Sequence, residues 1–67
     1  MRVWKPNVGE TFYLPHFIYS GFTAIKATYQ ERYNFISDNG LAFPTEKECQ
    51  EFCEYLNKKF KAAINEY

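Results

Sequence analysis

Hydrophobic positions follow two different periods along this chain. In the last third, Cys49, Phe52, Cys53, Leu56, Phe60, Ala63, Ile64 and Tyr67 recur at spacings of three, four and seven. On a helical wheel they fill a stripe of roughly 120°, the width of a helix face laid on a core. Thr45 stands just before this run as a candidate N-cap, and Glu48 three residues later completes a capping box. Glu46, Glu48, Glu51 and Glu54 occupy the first half and Lys58, Lys59 and Lys61 the second. That order opposes the helix macrodipole, and Glu54 sits four residues before Lys58. The pattern predicts a helix over about 46–65.

Upstream the period falls to two and β-formers dominate. Residues 10–14 read as a short strand stopped by Pro15, because proline belongs at strand ends or sheet edges. Residues 16–19 read as a second short strand or an irregular corner, followed by a turn at Ser20-Gly21. Residues 22–30 alternate, with Ile25, Ala27 and Tyr29 facing one way and Lys26, Thr28 and Gln30 the other. A further strand is expected over 33–37. Asn39-Gly40 then offers a hairpin turn, since both residues accept positive φ, and residues 41–43 would return along it. The expected fold is α+β: one domain over 1–67, with an antiparallel sheet of three or four strands over about 10–43 and a single C-terminal helix covering one face.

Composition sharpens this picture at one point. Seven Phe, six Tyr and one Trp are a heavy load of rings for 67 residues. A core of this size supports only a few kcal/mol of net stability. Rings it cannot enclose must meet solvent or another molecule. Eight Lys and Arg balance eight Asp and Glu, so the chain lacks the basic patch that binding to duplex DNA or an anionic membrane requires. No apolar run approaches the ~20 residues of a membrane span, and the N-terminus lacks a signal peptide's apolar stretch. A soluble cytoplasmic protein is expected.

The ends of the chain carry a further pattern: Trp4-Lys5-Pro6, Gly9-Glu10, Phe12-Tyr13, Arg32-Tyr33-Asn34-Phe35, and Phe43-Pro44-Thr45 with Glu48. Together these resemble a loose group of very small proteins encoded by phages and prophages of Gram-positive bacteria. That group runs W-K-P, G-E, two or three aromatics, a variable strand, R-Y-x-F-G-N, then F-x-T and an acidic helix. Here residues 36–41 replace the short G-N turn, and Cys49 stands where the group usually has Ala. No general activity goes with the group. The resemblance implies a phage or prophage setting, in which accessory proteins of this size often inhibit host proteins or defence systems.

Candidate chemistry is sparse. His16 is the only histidine, and no neighbouring acid orients it for catalysis. Cys49 and Cys53 are four apart on the helix stripe, poorly placed for a disulfide and without the second close pair of a structural zinc site. They are expected to be buried free thiols. Gly9, Gly21 and Gly40 are isolated and form no phosphate loop. A non-enzymatic protein without metal or cofactor is expected, acting by protein binding. A helix can cover only one sheet face, so Tyr13, Phe17, Tyr19 and Tyr33 are candidate anchors, with Lys26 and Arg32 as polar rim and Tyr55 on the outer helix face. The leading expectation is a binder and inhibitor of a bacterial host protein, with a homodimer as an equal claimant on the same surface. The alternatives are an oligomeric sponge for a small nucleotide-like signal, and a single-strand nucleic-acid binder using rings as stacking platforms.

Overall fold

The computed structural model describes residues 3–66. Strands β1 (Thr11–Ile18) and β2 (Gly21–Thr28) form an antiparallel hairpin. A 3-10 turn (Glu31–Tyr33) leads into the short helix α1 (Asn34–Asp38), and the long helix α2 (Glu46–Asn65) follows. The α+β class and the bounds of the C-terminal helix agree with the sequence reading. The cap does too: the Glu48 amide donates to Thr45 Oγ1 at 3.2 Å. Tyr67, which the helical period puts on the same stripe, lies outside the described residues.

The sheet differs from expectation. Among the described residues it has two strands, where three or four are expected, with an isolated bridge between Tyr13 and Phe43 beside β1. β1 does not stop at Pro15 but runs on to Ile18. The reason lies in the alternation of main-chain groups along a strand. Tyr13 turns its N–H and C=O away from β2 and exchanges two 2.9 Å bonds with Phe43. Pro15, two residues on, faces the same way. Its missing N–H removes no bond of the β1–β2 ladder, which is the edge position that proline tolerates.

Residues 33–37 are helical, not a strand, and Tyr29 supplies the physical cause. Its ring is buried against Phe12, 5.4 Å between centroids and edge-on, so its phenol needs partners. Asn34 Oδ1 accepts from the Tyr29 hydroxyl, and Ser37 Oγ lies 3.0 Å from it. Residues three apart share one side of a helical turn but opposite faces of a strand. The same spacing sets Tyr33 and Ile36 together against the cluster of Phe12, Tyr29 and Ala42. Asn39-Gly40 is accordingly a helix stop, not a hairpin turn. Gly40 has φ +76°, its amide donates to Ser37 O, and the Leu41 amide donates to Ile36 O, both at 3.0 Å. This is the Schellman pattern of a helix C-terminus.

The two sheet faces are covered differently. Tyr13, Phe22 and Ala24 pack under α2 against the buried Phe43, Cys49 and Cys53. On the opposite face Phe12, Leu14 and Ala27 pack with Trp4, Tyr33 and Ile36. The second face is therefore not open along its length, as the sequence reading had it; residues 33–42 and the N-terminal segment lid the end that holds Phe12.

One side chain ties α2 to the hairpin. Phe22 turns its main chain outward from β2, where its N–H donates to Asn57 Oδ1 at 2.7 Å and its C=O accepts from Asn57 Nδ2 at 3.1 Å. The carboxamide thus acts as one residue of an added strand. Gly21 makes room for it: φ is +133°, and a Cβ there would lie 2.7 Å from Asn57 Oδ1. Asn57→Ala leaves both Phe22 groups without their partner and should lower stability by about 1–3 kcal/mol, read as a shift in urea midpoint at unchanged slope. A midpoint equal to wild type would show that this amide does not hold the helix in place.

Candidate protein-binding surface

The lengths of the two elements decide where rings are left exposed. From the Tyr13 bridge to the end of β1 at Ile18 is five residues, about 17 Å. α2 covers that distance by about Asn57, because eleven residues of helix rise about 17 Å. The rest of α2 runs past the hairpin, and residues 58–66 are all exposed. Its apolar stripe rests on the hairpin end at Phe60 and continues past it to Ile64.

At that junction three phenylalanines interlock edge to face. Phe17 and Phe22 are 5.1 Å apart between ring centroids, Phe17 and Phe60 5.4 Å, and Phe22 and Phe60 6.3 Å. Phe17 remains 48 % exposed and Phe60 39 %. Ile64, 56 % exposed, is one turn beyond Phe60 on the same side of the helix. Ile18 and Tyr19 complete the hairpin end, with Tyr19 fully exposed. The result is an apolar patch held by rigid elements at one end of a molecule 40 Å long and under 20 Å wide.

The candidate residues from the sequence do not form one surface. Phe17 and Tyr19 meet at the hairpin end. Tyr13 is half-buried beneath α2. Lys26 is exposed on β2. Tyr33 is half-buried on the opposite face, and the exposed Arg32 lays its guanidinium over that ring, 5.0 Å from the centroid. Tyr55 sits apart on the outer side of α2, stacked on Phe52, with the Lys59 ammonium 5.6 Å from its ring centre. Periodicity alone places Phe60 and Ile64 in the core. The length of the stripe relative to the short strands is the signal that distinguishes them.

Other chemistry does not converge. His16 points to the sheet face away from α2, whereas Cys49 and Cys53 lie beneath α2, so the three do not meet. Among the described residues no group of three His, Cys, Asp or Glu side chains could hold a metal ion. A shallow pocket of about 350 Å³ lies between residues 5–8 and Tyr29, Glu31 and Asn34. It offers one cation, Lys5, beside one anion, Glu31, and the phenol of its only ring is engaged by Asn34 and Ser37. No described helix is long and apolar enough to cross a membrane. Comparison with protein-family models, with characterised proteins and with solved structures finds no match.

Cys49 and Cys53 are free and fully buried. Burial, and then the proximity of Cys53, push the Cys49 thiol from 9.0 up to about 12. Burial also raises Cys53, partly offset by its hydrogen bond with Cys49. A thiol whose pKa is raised by folding contributes full stability below the unfolded value. That stability is lost as pH rises through the folded value, because the unfolded chain has already released the proton. Stability should therefore fall from about pH 9 upward, by up to about 1.4 kcal/mol per pH unit for each such thiol. Urea unfolding at pH 8 and pH 10.5 should show a larger loss for wild type than for Cys49→Ala. Equal losses would mean that the thiol is not held protonated by the fold.

Proposed function

We propose that this chain is a non-enzymatic binding protein that docks a bacterial host protein through its hairpin end and inhibits it. The single observation that carries the reading is the triad Phe17, Phe22 and Phe60, rigidly packed yet partly open, continued by Ile64 along α2. Aromatic anchors fixed in one rotamer lose little entropy on binding and are the side chains most enriched at interface hot spots. Lys61, three residues before Ile64 on the protruding turns of α2, supplies a charged rim. The bacterial host as source of the target comes from the resemblance to phage-encoded proteins. The nucleotide-sponge reading has no comparable support, since the pocket beside Tyr29 offers no pair of free rings for stacking.

The test is affinity capture from a bacterial lysate with matched baits. Phe17→Ser and Ile64→Ser alter exposed positions and should leave the fold intact by circular dichroism. Each should recover the wild-type partner at least about tenfold less well, the equivalent of about 1.4 kcal/mol. Tyr55→Ala, on another side of the molecule, should recover it normally. Recovery of the same partner by both serine variants at wild-type levels would refute the reading.

A further inference from the structure

The outer edges of the hairpin are not protected equally. β1 is closed by the Phe43 bridge at Tyr13 and blunted by Pro15. β2 is plugged by Asn57 at Phe22. Phe22 fixes the direction of its neighbours: Ala24, Lys26 and Thr28 turn their main-chain N–H and C=O outward in the same way. Among the described residues these six groups meet no hydrogen-bond partner. Natural proteins close or blunt such an edge, and an unpaired one is a template for an added strand.

From this edge we infer a second binding site, independent of the aromatic end: residues 24–28 of β2 accept one extended segment of a partner protein as a third strand. The side chains define its chemistry. Lys26 is the only charged residue on β2, is exposed, and has no ion-pair partner among the described residues. Ile25 is exposed on the opposite face of the sheet. The matching segment carries a carboxylate beside Lys26 and aliphatic residues beside Ile25 and Ala27, an alternation that fits the pleat.

A second copy of this chain matches the edge poorly. In the register centred on Lys26 the two ammonium groups would face each other, which is destabilising. Registers that slide the second copy toward Phe22 lose rungs, because Asn57 already occupies the outward groups of that residue.

The probe is the acetylated, amidated peptide Thr-Val-Glu-Val-Thr, titrated into isotope-labelled protein and followed by amide shifts. Saturable shifts are expected at Ala24, Lys26 and Thr28. Lys26→Glu should weaken this peptide and favour Thr-Val-Lys-Val-Thr, each change about two- to fivefold. Lys26→Pro, which removes an outward N–H as Pro15 does on β1, should abolish binding. Phe17→Ser and Ile64→Ser should leave the titration unchanged, so failure here and failure of the aromatic docking surface are read separately. No saturable shift, shifts centred on Phe17 and Phe60, binding indifferent to both Lys26 variants, or a dimer of the free protein paired through these amides would each overturn the inference.

Discussion

The carboxamide of Asn57 sets the geometry on which the rest of this structure depends. It joins residues 35 positions apart by satisfying both main-chain groups of Phe22. A two-stranded hairpin is at best marginally stable in water and needs a packed element to hold it. α2 is that element, and its position is fixed at one end by the Phe43 bridge and the Thr45 cap and at the other by Asn57. Between these anchors lie Cys49 and Cys53, small enough to let the helix approach the strands closely. The phenylalanine triad forms because Phe60 follows Asn57 by three residues, which carries its ring to Phe17 and Phe22.

The same anchoring explains which surfaces are left for partners. A helix longer than its strands must leave part of its apolar stripe beyond the sheet, and here the stripe passes the hairpin end at Phe60 and runs on to Ile64. A helix seated over β2 also cannot close the outer edge of that strand except where a side chain reaches round it. Asn57 does so at Phe22; beyond it, among the described residues, the outward groups of Ala24, Lys26 and Thr28 have no hydrogen-bond partner. Both proposed sites are thus consequences of one placement. They differ in chemistry: rings and aliphatics at the hairpin end, main-chain hydrogen bonds and one lysine along the edge.

Much of this was legible in the sequence where one physical signal dominated. The 3.6 period with Thr45 and Glu48 defines α2, and the alternation of Ile25 and Ala27 with Lys26 and Thr28 locates β2, which spans Gly21–Thr28 where the pattern predicts 22–30. What failed did so where one signal has two uses. Asn39-Gly40 marks a residue of positive φ, and that conformation ends a helix as readily as it turns a hairpin. Tyr33, Asn34, Phe35 and Ile36 look like a strand by composition, yet the pairs Tyr33 with Ile36 and Asn34 with Ser37 have helical spacing. A buried phenol at Tyr29 decides between the two, and that burial is a tertiary fact. Pro15 reads as a strand end until the direction of its nitrogen is known. Of the candidate site, the surplus of rings points to Phe17 and Tyr19, whereas Phe60 and Ile64 sit in a stripe that looks uniformly buried.

Amide hydrogen exchange of the free protein, resolved along β2, tests the account most directly. The Phe22 amide points outward from the hairpin and should nonetheless be protected, because Asn57 accepts its proton, while the equally outward amides of Ala24 and Lys26 exchange at rates near those of an open strand. Ile25 and Ala27, bonded to β1, should be protected with Phe22. Exchange at Phe22 as fast as at Ala24 would mean that α2 is not fastened to the hairpin end. Slow exchange at Ala24 and Lys26 would mean that the edge is already closed.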